Sequence, residues 1–256
     1  MARTIFITGA GAGIGAATAR LFAREGWLVG GTALHDTHLA AMRADLGERF
    51  VAYVADVRDR AAMHDAVADF ASRHGAGCLD AVFANAGVLF MGPDESLTAG
   101  QKQALIDVNL GGVVHTFDAA LPHLKRSPGG AHAIAMASTS AEYGSPHHAL
   151  YGATKFFVRG YTEALAIEHR QSGVQVSAIY VSYVNTGMLT DANFRPRSVD
   201  VLGIKATPEH VAQAVWRAVH GRRAHWRVGF DAKFTHYAVR LLGAWVAPVY
   251  ARLTGA

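Results

Sequence analysis

The chain has 256 residues, 51% apolar and 17% charged, a balance that supports a sizeable core and argues against extensive disorder. Its formal charge is +4 and its pI about 9.3, yet Lys and Arg are scattered without a block of like charge, so no nucleic-acid partner is expected. A single cysteine, Cys78, excludes an intrachain disulfide and a multi-cysteine zinc site. The histidines show no metal-binding spacing, and no metal is expected. No charged leader precedes Thr4-Ile5-Phe6-Ile7 and no apolar run reaches ~18 residues, so the expectation is a cytoplasmic protein without a transmembrane segment.

The first apolar run, Arg3–Thr8, reads as a strand, and the helical pattern of Ile14–Arg24 follows it. Between them lies a glycine-rich turn, Gly9-Ala10-Gly11-Ala12-Gly13-Ile14-Gly15. Glycines let backbone approach a pyrophosphate closely, and a helix N-terminus then offers free N–H groups to phosphate. A plain strand-to-helix turn is the competing reading.

The second strand, Trp27–Ala33, runs through Leu34 and His35 into a helical pattern over Thr37–Leu46. An acid that would hold ribose hydroxyls is expected at its end, but Ala33 stands there. Asp36 reads as a helix N-cap. No Arg or Lys replaces the acid and only His35 is near, so neither form of a dinucleotide is selected outright. The third strand, Phe50–Val54, leads into Asp56-Val57 and a helix over Arg60–Arg73. Asp56 reads equally as an acceptor for an adenine amino group and as a turn residue.

The fourth strand, Leu79–Ala84, ends in Asn85-Ala86-Gly87, where small residues let backbone pass beside a ligand or simply turn. A long helical pattern covers Leu97–Leu124; Asn109 inside it is a poor helix former that can bend it and expose a carbonyl. The fifth strand, Ala131–Ala137, ends at Ser138, thirteen residues before Tyr151. In the next helix, Ala149–Arg170, Tyr151 and Lys155 share a face. A nearby ammonium favours phenolate and lowers the Tyr151 pKa. The sixth strand, Val174–Tyr180, is followed by Val181 to Thr186, and a short seventh is expected near Trp226–Val228.

This rhythm points to an α/β fold: a doubly wound parallel sheet with helices on both faces, one domain over 1–256. The glycine turn, Asp56-Val57, Asn85-Ala86-Gly87, Asn109, Ser138 and the Tyr151–Lys155 pair resemble, in order and spacing, the short-chain dehydrogenase/reductase family with its Rossmann-type sheet. The resemblance implies a catalytic tetrad of Asn109, Ser138, Tyr151 and Lys155. Tyr151 would be the general acid or base, with hydride transfer to or from a nicotinamide. It also implies nicotinamide contacts at Val184 and Thr186, and a homodimer or homotetramer. Val181 and Ser182 depart from the family's Pro-Gly. NADP(H) is slightly favoured and NAD(H) allowed.

The stretch 186–207 resembles a substrate loop. Phe90, Met91, Tyr143, His147, Tyr183, Leu189 and Phe194 are candidates for a largely apolar pocket, several of them equally readable as core. The expected reaction interconverts a hydrophobic secondary alcohol and its ketone. A catalytically silent dinucleotide-binding sensor or scaffold is the alternative, and a redox-neutral epimerase or lyase a weaker third. The C-terminal segment, 231–253, reads as a pocket-closing helix pair, a dimer contact or a membrane-surface anchor.

Overall fold

A computed structural model describes residues 2–190, 194, 196–246, 248 and 252. Seven strands form one parallel sheet in the order β3-β2-β1-β4-β5-β6-β7. In chain order the elements begin β1 (Thr4–Thr8), α1 (Gly13–Arg24), β2 (Leu28–Ala33), α2 (Asp36–Leu46), β3 (Phe50–Val54), α3 (Arg60–His74) and β4 (Ala81–Ala84). Then come α4 (Ala99–Ile106), α5 (Gly112–Leu124), β5 (Ala131–Met136), α6 (Ala149–Glu168) and β6 (Val174–Tyr180). The chain continues with α7 (Gly187–Thr190), α8 (Arg197–Leu202), α9 (Pro208–Ala218), β7 (His225–Arg227) and α10 (Gly229–Leu242). No helix among the described residues is long and apolar enough to cross a membrane.

Strand alternation assigns the two faces. In β1, Ile5 and Ile7 join Phe22, Trp27, Met42, Val211 and Val215 on one side. Phe6 joins Phe70, Phe117, Val158 and Tyr180 on the other. Both faces are buried, which is why the strands read as continuous apolar runs rather than alternating ones. The chain reverses direction in the sheet between β1 and β4, and ligands of such sheets sit beyond the carboxyl ends of the strands at that crevice.

Two expectations need correction. The pattern over 97–124 is not one continuous α-helix. Thr98 starts α4 with a capping box to Gln101, and residues Asp107–Gly111 form a wider π-turn before α5. Asp36 is not a cap: His35 occupies the N-cap position of α2, while Asp36 is the first helical residue and pairs with Arg43 at 2.7 Å. Helix α9 lies outside the expected helical patterns. Its signals were Thr207 and Pro208 at the start and the apolar spacing of Val211, Ala214, Val215 and Ala218. Trp216 of α9 meets Phe22 and Trp27 edge-on. Within 186–207, residues 191–193 and 195 lie outside the described residues; α7 and α8 flank them. The segment 231–253 begins as α10 and a short turn, Gly243–Trp245; residues 247, 249–251 and 253 lie outside the described residues.

Candidate active site

The glycine turn is built by sterics. Gly9 and Gly13 hold positive φ angles of +66° and +50°, which only glycine adopts without strain. A Cβ at Gly15 would overlap the Gly9 carbonyl oxygen. At Gly11 it would come within 2.5 Å of the His38 Cβ. Ala12 caps α1 without a side-chain acceptor, so the first-turn N–H groups receive nothing from it and suit an anion. The turn is fastened to β4 by its neighbours. Thr8 Oγ1 accepts from the Asn85 and Ala86 N–H groups at 3.0 and 3.1 Å, and Asn85 Nδ2 donates to the Thr8 and Gly9 carbonyls at 2.9 and 3.3 Å.

A cavity of about 310 Å³ opens beside this turn. Gly9, Ala12, Gly13, Ile14 and Asn85-Ala86-Gly87 form one end; Ser138, Tyr151, Lys155, Val184 and Thr186 continue its wall. Gly11, Gly15, Ala33, Leu34, His35, Asp56 and Val57 are not in that wall. Ala33 is buried at the end of β2 and Leu34 is exposed. The carboxylate of Asp56 is held by the Arg58 guanidinium at 2.6–3.0 Å and by the Arg58 N–H at 2.9 Å. Its turn role is therefore realised, and the Arg58 hydrogen bond holds it below the usual carboxylate range. Val57 packs in the core, its carbonyl 2.9 Å from His115 Nδ1.

Asn109 sits in the π-turn, fully buried. Its Oδ1 accepts from the Val88 N–H at 2.8 Å, while Nδ2 donates to the Val88 carbonyl at 2.9 Å and to Thr154 Oγ1 at 3.4 Å. Thr154 Oγ1 in turn donates to the Tyr151 carbonyl at 2.7 Å. The amide thus clamps the segment after Gly87 to the helix bearing Tyr151; Thr154 was not foreseen.

Ser138 lies two residues beyond β5 and caps the following turn, its Oγ accepting from the Ser140 N–H at 3.1 Å. Lys155 is buried and donates to the Met136 carbonyl at 2.9 Å; Nζ lies 5.6 Å from the centre of the Tyr151 ring. Burial pushes the Tyr151 phenol up to about 12, against a hydrogen bond from Ser138 that lowers it. Burial also brings Lys155 down to about 8. Burial, rather than the ammonium expected to lower the Tyr151 pKa, dominates its shift. Both groups share a low-dielectric wall that disfavours both charges, and Nζ is spent on a carbonyl.

Tyr143, Tyr183 and Leu189 line the cavity as expected; Phe90, Met91, His147 and Phe194 do not. Met91 is buried, and His147, at φ +62°, turns its ring onto Phe194 at 5.0 Å. The neighbouring His148 takes the place given to His147. It is buried in the wall, with Nδ1 3.1 Å from the Pro146 carbonyl and Nε2 3.5 Å from the Tyr183 hydroxyl. Burial lowers its pKa. A neutral ring donating from Nδ1 leaves Nε2 as an acceptor toward Tyr183. Val181 and Ser182 stand where the family resemblance implies Pro-Gly, and both border the cavity with the following Tyr183.

A buried carboxylate anchors this wall. Glu142 meets Arg159 Nη1 at 2.8 Å, Arg227 Nη2 at 3.0 Å and His236 Nδ1 at 3.0 Å. It joins the segment after Ser138 to α6, β7 and α10. Nothing in sequence spacing signals this cluster, because its members lie up to 94 positions apart. Among the described residues no group of three or more His, Cys, Asp or Glu side chains could hold a metal ion.

Comparison with known proteins gives the family and the fold. The "short chain dehydrogenase" family model matches residues 3–196. The chain is 34% identical over 188 residues to oxidoreductase UcpA of Salmonella typhimurium, covering 73% of this chain and 71% of that protein. It is 32% identical over 222 residues to cis-4-hydroxycyclohexanecarboxylate dehydrogenase of Sinomonas cyclohexanicum, covering 83% and 87%. A 3-ketoacyl-(acyl-carrier-protein) reductase from Brucella melitensis, solved with NADH, superposes with a TM-score of 0.79 at 26% identity over 88% of this chain and 96% of that one. A serine dehydrogenase solved with NADP+ gives 0.78 at 26%, over 88% and 94%. A family match spanning three-quarters of the chain makes this protein a member of the short-chain dehydrogenase family.

Proposed function

We propose that this protein interconverts a largely apolar secondary alcohol and its ketone, using a nicotinamide dinucleotide, with NADP(H) ahead of NAD(H). The observation that carries the reading is the wall where the Ser138 and Tyr151 side chains open on one cavity with the buried Lys155 behind them. Val88, Leu89, Val181 and Leu189 give the remainder of that cavity its apolar character. The oxidoreductases similar to this chain include one whose name specifies a ring alcohol.

The residues present fit the cofactor. The glycine turn and the uncapped start of α1 form a cradle that a Cβ would fill, and it opens on the same cavity as Tyr151. Gly9, Ala12, Gly13 and Ile14 would hold the pyrophosphate. Asn85-Ala86-Gly87 with Val184 and Thr186 would flank the nicotinamide, and Lys155 would hold its ribose. When bound, the nicotinamide supplies or accepts a hydride at the carbon bearing the oxygen. Ser138 holds that oxygen and Tyr151 donates the proton to it. A phenol raised to about 12 is protonated at neutral pH, so the arrangement suits reduction of a carbonyl.

Two observations support NADP(H). Ala33 leaves no carboxylate at the end of β2 to repel a 2′-phosphate, and Asp36 is engaged by Arg43. His38 stands beside Gly11 with its ring 6.2 Å from that of His35, and both imidazoles can donate a hydrogen bond to phosphate. An adenine contact to Asp56 would compete with Arg58. The chain is proposed to work as one domain, 1–256, in the cytoplasm as a homodimer or homotetramer.

The test is Tyr151→Phe assayed on a panel of ketones by loss of reduced-nicotinamide absorbance. Turnover falls by at least ~100-fold, the scale of general acid–base catalysis, while nucleotide affinity by fluorescence titration stays within about twofold. Near-normal turnover removes Tyr151 from the mechanism.

A further inference from the structure

α10 carries a feature that the cavity does not use. Phe230, Phe234, Tyr237 and Leu241 recur at helical spacing along one face, and Trp245 follows in the turn after the helix. All five are exposed, between 62% and 85%. The opposite face is seated on the body by Ala232 and by His236, which meets Glu142. On the outer face, Phe230 and Phe234 stack on one another at 6.0 Å. A contiguous apolar row of this kind differs from scattered exposed side chains and marks a contact surface.

Charge decides what covers it. Lys233 and Arg240 lie along one flank of the row, and the helix's single acid, Asp231, lies on the other. A two-fold pairing of α10 with a second copy, centred on the row, runs the helices either parallel, with their dipoles aligned unfavourably, or antiparallel, with like flank set against like flank. Lys233 would then face Arg240 of the other copy, with no acid of α10 between them. An anionic lipid surface meets the same two cations favourably. It accepts Phe, Tyr, Leu and Trp at the level of its headgroups and acyl boundary. A helix of 14 residues, about 21 Å long, suits lying in that plane. We propose that α10 docks this protein peripherally on an anionic lipid bilayer, through the row from Phe230 to Trp245 and the flanking Lys233 and Arg240.

The experiment is co-sedimentation of the full chain with phosphatidylcholine vesicles containing about one-third phosphatidylglycerol, compared with pure phosphatidylcholine and with high salt. The expected result is binding to the anionic vesicles at low salt, at least ~10-fold weaker on the neutral ones and at high salt, as two basic side chains near a charged surface imply. The triple variant Phe230→Ser, Phe234→Ser, Leu241→Ser loses sedimentation while its melting temperature and turnover hold. The double variant Lys233→Glu, Arg240→Glu loses the preference for phosphatidylglycerol. The proposal is overturned if the wild-type chain stays in the supernatant, or if either variant binds as it does. A wild-type dimer by light scattering that becomes monomeric in the triple variant would also overturn it, since the row would then be a contact between copies.

Discussion

Replacing Asn109 with alanine separates its structural duty from any catalytic one. The side chain is fully buried and makes three hydrogen bonds, two to the peptide groups of Val88 and one to Thr154. Truncation leaves the Val88 N–H and carbonyl without their partners. An unsatisfied buried group costs about 1–3 kcal/mol, and the lower end applies because Val88 borders the cavity, where water can enter. With the weaker Thr154 bond the total is roughly 2–4 kcal/mol. For a chain of this size that lowers the melting temperature by roughly 5–12 °C. The assay is thermal unfolding followed by circular dichroism, with turnover measured well below the transition. Turnover should also fall, by about tenfold or more, because Asn109 reaches the Tyr151 carbonyl through Thr154. A melting temperature within ~2 °C of the parent would refute the clamp. A large drop with unchanged turnover would show that the clamp does not position Tyr151.

Other outcomes follow from the same geometry. Lys155→Met abolishes turnover and weakens nucleotide binding without lowering the melting temperature at pH 7, because the ammonium, brought down to about 8 by burial, is costly to keep charged there; a marked thermal loss would contradict that. Ala33→Asp shifts the ratio of kcat/KM values toward NAD(H) by about tenfold or more, as a carboxylate facing a 2′-phosphate requires; an unchanged ratio would place the ribose elsewhere. His132, held down to about 4 mainly by burial and with an unpartnered Nδ1, binds fewer protons folded than unfolded between pH 4 and 6.5. Stability is therefore lost as pH falls through that window, by ~2 kcal/mol after discounting for partial solvent screening. His132→Gln flattens the loss in urea titrations across that range.

The sequence by itself determined the sheet and the glycine turn. Buried parallel strands are continuous apolar runs bounded by turn residues. All seven were therefore legible to within one or two residues. Gly9, Gly13 and Gly15 were legible because no other residue fits their backbone angles or clearances. The Tyr151–Lys155 pair was readable from helical spacing together with Ser138 thirteen residues before it. What spacing cannot give is the direction in which a side chain points or what else is buried with it. Two adjacent histidines were indistinguishable as letters; a positive φ at His147 sends its ring to Phe194, while His148 reaches the cavity. The sign of the Tyr151 shift was likewise a tertiary matter, since it follows from burial. The Glu142 cluster and the Asn109 clamp join residues far apart in the chain, so only folding brings their charges and hydrogen bonds together. The exposure of the α10 row was decided in the same way. A helical apolar stripe reads as core in any sequence until the body of the protein is seen to cover the other face.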